Sequence, residues 1–97
     1  MEIKTLNENG KLTIILSGRL DTNTAFDLEK EVSNLDNIKE LIFDLEKLEY
    51  ISSAGLRILL SCQKKMNNNG SMIVKNVNDE ITKIFEITGF NNIFVIK

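Results

Sequence analysis

The chain has 97 residues, a formal net charge of −2, 42% hydrophobic and 27% charged residues, no histidine and one cysteine. That is the size and composition of one ordinary soluble globular domain, so residues 1–97 are expected to form a single unit. The missing histidines exclude Ser-His-Asp and Cys-His catalysis and every histidine metal site, and the lone Cys62 leaves no internal disulfide and no zinc site.

Other classes fall to the same reading. No apolar run approaches the ~20 residues needed to span a bilayer, and MEIKTLNENG has no signal-peptide core, so no membrane insertion is expected. A free cysteine in an apolar run suits a reducing cytoplasm. The densest basic spot, Lys64-Lys65, is too small a footprint for nucleic acid and reads as a solvated face.

In chain order, residues 2–8 and 11–17 read as strands around Asn9-Gly10, a pair suited to a two-residue type I′ hairpin. Gly18 to Asn23 reads as a loop. Ala25, Leu28, Val32 and Leu35 then fall at helical spacing with Phe26 widening the stripe, Thr24 and Asp27 make a capping-box-like start, and Asp36-Asn37 ends the helix. Leu41 to Leu45 has the continuous apolar look of a central strand. A second helix runs through Leu56, Leu59, Leu60, Cys62 and Met66 into Asn67-Asn68-Asn69-Gly70, an ending that tolerates a left-handed residue.

Residues 71–75 give a further strand. Asn78 caps a third helix carrying Ile81, Ile84 and Phe85 and stopped by Gly89, and residues 93–96 read as a last strand. Strands alternating with helices after residue 20 predict parallel pairing by crossover connections. The expected fold is therefore α/β: a small mixed sheet, antiparallel in its N-terminal hairpin and then parallel, with helices packed on it.

The junction Glu49-Tyr50-Ile51-Ser52-Ser53-Ala54-Gly55-Leu56 carries two adjacent hydroxyls where a strand enters a helix. One of them is accounted for as an N-cap. Gly55 is not, since glycine in a helix's first turn costs up to ~1 kcal/mol against alanine; its missing side chain suggests a helix end that another group can approach. Catalysis finds little support here. Without histidine a serine nucleophile lacks its usual base, G-x-S-x-G is absent, and so are the P-loop and G-x-G-x-x-G, so no cofactor is expected. Asp21 and Asp44 remain as carboxylates that a strand-end rim would bring together for an acid–base enzyme.

Tyr50-Ile51-Ser52-Ser53-Ala54-Gly55-Leu56-Arg57, preceded by Ile42-Phe43-Asp44-Leu45 and Gly18-Arg19-Leu20-Asp21, resembles the STAS domain of bacterial anti-sigma factor antagonists over nearly the whole chain. The resemblance implies a STAS-like fold and a binding protein rather than an enzyme. Its partner is an anti-sigma factor with serine kinase activity, bound so that a sigma factor is released. The kinase phosphorylates the antagonist, and a metal-dependent serine phosphatase reverses the modification. By position the target is Ser53, with Ser52 where family members often carry aspartate. The implied partner-binding residues are Asp21, Thr22 and Asn23 on the loop and Ser52, Ser53, Gly55, Leu56 and Arg57 at the helix start. The same resemblance also admits a STAS subunit of a transporter or signalling scaffold, making a constitutive protein contact through that helix.

Overall fold

The computed structural model describes all residues, Met1–Lys97. Strands β1 (Glu2–Glu8) and β2 (Lys11–Leu20) form an antiparallel hairpin, paired from Glu2 with Ser17 to Glu8 with Lys11. Asn9 and Gly10 turn between them at φ 51° and 86°, both left-handed, as a type I′ turn requires. The Gly10 carbonyl then accepts from the N–H groups of Lys39 (2.8 Å) and Glu40 (3.2 Å), so the hairpin tip anchors the start of the next strand.

That strand, β3 (Glu40–Ile51), pairs parallel with β2 on one side and with β4 (Ser71–Lys75) on the other, giving the sheet order β1-β2-β3-β4. Helix α1 (Ala25–Glu31) crosses from β2 to β3, α2 (Ser53–Asn69) from β3 to β4, and α3 (Asp79–Thr88) follows β4. Alternate residues of the parallel strands, among them Ile14, Leu16, Leu41, Phe43, Leu45, Met72 and Val74, turn onto one face. There they join Leu28, Leu59, Met66, Ile81 and Phe85 from the three helices in a single buried cluster. The mixed sheet expected from the alternation is the one found.

Two strands run beyond their expected bounds. β2 continues through Gly18, Arg19 and Leu20, expected to be loop, and β3 has 12 residues rather than the five-residue apolar run. Their shared C-terminal half is irregular. β3 advances from Asp44 to Lys47 while β2 advances from Ile15 to Ser17, and from Leu48 to Tyr50 while β2 moves only from Gly18 to Arg19. Gly18, at φ 95°, marks such a bulge rather than the end of the strand. Beyond it Leu20 pairs with Ile51 and is fully buried, and the Arg19 guanidinium lies 4.4 Å from the centroid of the Tyr50 ring.

Other boundaries moved for local reasons. α1 ends near Val32, and Leu35 is buried beyond it. Phe26 does not widen the buried stripe: it is 65% exposed. Residue 26 stands about 100° around the helix from Ala25 and about 160° from Leu28, outside the arc those two define. At the far end of α2, Gly70 is extended (φ 171°) rather than left-handed. A Cβ there would collide with the Lys39 carbonyl, so glycine is needed for close approach. The expected last strand is a 3₁₀ turn (Phe90–Asn92) followed by one parallel bridge between Val74 and Ile96. Phe94 turns inward instead, 5.6 Å from both Phe85 and Phe90, leaving only the final residues beside β4.

Thr24 and Asp27 form no capping box. The Thr24 hydroxyl turns back to donate to the Arg19 carbonyl (2.8 Å) and accepts from the Asp21 N–H (2.8 Å). Asp21 does the capping, its Oδ1 accepting from the N–H groups of Asn23 (3.0 Å) and Thr24 (3.1 Å). Its carboxyl lies below the ordinary 3.8, held there first by the Thr24 N–H; desolvation opposes this, and the Thr24 hydroxyl, the Asn23 N–H and the nearby Arg19 charge each lower it further. A folded value below the unfolded one means that this contribution is present above the ordinary carboxylate range and disappears as pH falls through the folded value.

Two outcomes follow from these contacts. Asn78 caps α3 by accepting from the Ile81 N–H (2.9 Å) while its amide nitrogen donates to the Leu48 carbonyl (2.6 Å) in the irregular part of β3. Aspartate caps helices as well as asparagine but has no N–H to give, so Asn78→Asp should destabilise by about 1–3 kcal/mol. Urea unfolding of the two proteins checks this, and equal midpoints would show that the Leu48 bond contributes nothing. Asp21→Asn keeps an acceptor oxygen but no charge. The melting-temperature advantage of wild type over Asp21→Asn should therefore shrink between neutral pH and about pH 3; a constant gap would show that the charge is irrelevant.

Candidate functional site

The ends of β2 and β3 lie side by side and release the chain into two connections that meet at the start of α2. Ser52, at φ −89° and ψ 172°, is the N-cap. Its N–H donates to the Leu20 carbonyl (2.8 Å), its carbonyl accepts from the Leu56 N–H (2.9 Å), and its Oγ accepts from the Gly55 N–H (3.3 Å). The backbone groups and the hydroxyl oxygen of Ser52 thus hold the junction. Ser53 is the first helical residue, exposed, and its hydroxyl has no hydrogen-bond partner. The two serines, alike in sequence, differ in availability.

Gly55 corrects an expectation. It is buried, and a Cβ on it would come within 2.6 Å of Leu20 Cγ, 2.8 Å of Leu20 Cδ2 and 3.0 Å of Ile51 Cγ1. The glycine admits the side chains beneath it, not a group arriving from solvent. Leu56 is likewise buried, at 5% exposed. Of the eight residues expected to meet a partner, these two lie inside and support the surface from below. The other six, Asp21, Thr22, Asn23, Ser52, Ser53 and Arg57, are brought together by the Leu20–Ser52 hydrogen bond and keep some or full exposure.

The surface extends further than the sequence suggested. α1 and α2 pack beside each other, and Thr22, Ala25 and the exposed Phe26 face Ala54, Arg57 and Ile58 of α2 across a hollow of about 210 Å³. Phe26 is therefore a missed surface residue, and its angular position on the helix was the available signal. Other chemistry finds no support. Asp44 pairs with Ile15, well before the Leu20–Ile51 pair that ends the two strands, and its Oδ1 accepts from the Glu46 N–H (3.2 Å) and the Asn76 amide (3.1 Å), so it does not share a rim with Asp21. Burial raises the Cys62 thiol to about 11, with Lys65 only partly offsetting it, which keeps the sulfur from acting as a thiolate. No helix is long and apolar enough to cross a membrane.

Comparison with known proteins places this arrangement. The chain is 33% identical over 91 residues to BtrV of Bordetella bronchiseptica, whose name assigns it to the anti-sigma factor antagonists; the match covers 91% of this chain and 78% of BtrV. It is 27% identical over 96 residues to the anti-sigma-B factor antagonist of Staphylococcus aureus, covering 96% of this chain and 89% of that protein. Its fold is that of SpoIIAA, the Bacillus cell fate determinant and anti-sigma factor antagonist. The unphosphorylated form aligns with TM-score 0.78 at 17% identity, over 99% of this chain and 87% of that one, and the phosphorylated form with 0.77 at 18% identity, over 99% and 91%. The STAS domain model matches residues 2–97, and with that match the chain belongs to the STAS domain family.

Proposed function

We propose that this chain is an anti-sigma factor antagonist, a cytoplasmic binding protein rather than an enzyme, switched off by phosphorylation of Ser53. Unmodified, it binds an anti-sigma factor that is also a serine kinase and so frees a sigma factor; a metal-dependent serine phosphatase restores the active form. The observation that carries this reading is the contrast between the two serines. Ser52 is spent on the helix cap, whereas Ser53 presents a free hydroxyl among the exposed parts of the loop and helix start. The curated relatives named above are antagonists of anti-sigma factors, which favours a reversible regulator over a constitutive subunit of a transporter or scaffold.

The electrostatics of the switch suit the position. The N–H groups of the first helical turn lack intrahelical acceptors, and the helix dipole favours negative charge there, so a phosphate on Ser53 is compatible with the fold. It adds ~1.5–2 negative charges and strongly hydrated oxygens to the docking surface. A partner that has to desolvate them binds less tightly, without any change in the backbone.

Because Ser52 and not Ser53 is the cap, the variants separate cleanly. Ser53→Ala should fold with stability within ~0.5 kcal/mol of wild type, bind the anti-sigma factor and resist phosphorylation, while Ser52→Ala should lose about 1 kcal/mol. Ser53→Asp should melt no lower than Ser53→Ala and bind much more weakly. Calorimetric titration with the purified anti-sigma factor of the same organism, together with phosphate transfer from labelled ATP, measures both. Equal affinities of the Ala and Asp forms, or transfer that persists in Ser53→Ala, would remove the switch from Ser53.

Arg57 stands one helical turn after Ser53 and forms no ion pair of its own. One turn is within the reach of a guanidinium, so Arg57 would accompany a phosphate on Ser53 and favour the dianion. In the phosphorylated protein, Arg57→Ala should move the second phosphate titration, ordinarily near pH ~6, to higher pH. Phosphorus NMR titration of both forms reads the midpoints; coincident curves would mean that Arg57 serves only the partner.

A further inference from the structure

The hollow beside Phe26 continues along the helices. A second hollow of about 360 Å³ adjoins it, and Glu29, Arg57 and Ile58 line both. On α2 the groove runs from Ala54 to Lys65, twelve residues spanning about 16 Å of helix, the length of three turns. Its two ends differ. The end near Ser53 adds Phe26, at 65% exposure, and Ala54; the far end adds Lys65; Arg57 and the single acid Glu29 line both. The sole ion pair in the structure joins Lys4 to Glu2, so none of these three charges is paired, and the groove carries a net positive charge on a chain of net charge −2.

An exposed aromatic at one end and a net positive charge along a two-helix groove are complementary to an amphipathic helix of acidic character. The Ser53 site supplies the reason to assign that helix to the same partner: Ala54, which lines the Phe26 end, directly follows Ser53 in the first turn of α2. We propose that the α1–α2 groove receives an acidic amphipathic helix of the anti-sigma factor, an apolar side chain covering Phe26 and Ala54 and carboxylates meeting Arg57 and Lys65. This rests on the antagonist reading and adds to it the chemistry of the partner segment. It also places Phe26 as the aromatic anchor of the interface, the kind of residue that carries a disproportionate share of binding energy.

The test uses the purified anti-sigma factor that phosphorylates Ser53 and measures binding to the full chain by surface plasmon resonance at two salt concentrations. Phe26→Ala should weaken binding about tenfold or more. Lys65→Glu should slow association, and Glu29→Lys, which removes the only acid, should speed it about threefold or more at low salt, both effects fading as salt rises. All three side chains are exposed, and unchanged melting temperatures confirm that folding is not what was altered. If Ser53→Asp abolishes binding while the three groove variants stay within about twofold of wild type, the groove proposal is overturned and the antagonist reading stands. If the wild type neither binds nor accepts phosphate, both fall together. A dimer in sedimentation that Phe26→Ala dissociates would make a second copy the occupant and overturn the assignment to the partner.

Discussion

The arrangement at the top of the sheet depends on one packing constraint, the seating of Leu20 and Ile51 beneath Gly55. Leu20 is fully buried and Ile51 nearly so, and a side chain at position 55 would overlap both. With Gly55 there, the first turn of α2 lies down directly on the ends of two parallel strands. The Ser52 N–H then reaches the Leu20 carbonyl, and the loop after β2 is delivered next to the helix start. Dispersion and burial fix the distance of closest approach, and the hydrogen bonds fix the register. A larger residue at either position would separate the loop from the helix before it affected any residue on the surface.

From this follows the unequal treatment of two chemically identical hydroxyls. A helix start needs an acceptor for its free N–H groups, and the residue in extended conformation just before it supplies one. That requirement consumes Ser52. The next residue is already helical, so its side chain projects outward and its oxygen is left to solvent. Asp21 plays the corresponding part in the turn that leads into α1, where its carboxylate, not the Thr24 hydroxyl, takes the backbone donors. The two helices are therefore begun by groups that are partly buried in their own turns, while the residues between and after them remain free for recognition.

Local chemistry was legible in the sequence; distant pairing was not. Asn9-Gly10 as a type I′ turn, Asn78 as a cap and Gly89 as a helix stop each depend on a few neighbouring residues, and each stands where the pattern put it. Ser53, Arg57 and the 21–23 loop were implied by the resemblance to the STAS family, and all of them keep some or full exposure. The length of β3 was not legible, because Glu46, Lys47 and Glu49 interrupt its apolar run and are accommodated only by irregular pairing with β2. That pairing joins residues about thirty positions apart. Gly18 looked like a break for the same reason. Gly55 and Gly70 were recognisable as special, but the group approaching each of them, Leu20 and the Lys39 carbonyl, lies far away in sequence. Phe26 was misplaced although its angle on the helix was available, since apolar character alone was allowed to outweigh position.

The commitment of Ser52 to the helix cap has a consequence for any enzyme that acts next door. Peptide-directed enzymes bind an extended stretch of substrate, and extending residues around Ser53 here would release the cap, lift Gly55 from Leu20 and break the Ser52–Leu20 bond together. Such opening belongs to a cooperative unit containing the core, not to a fraying terminus. An enzyme that modified Ser53 would therefore have to read a three-dimensional surface, with the loop after β2 and the outer face of α2 as part of its substrate. Its selectivity is then exercised over folded domains rather than over linear sequence, and an unfolded copy of the same chain, though it contains the same residues, does not present the same substrate.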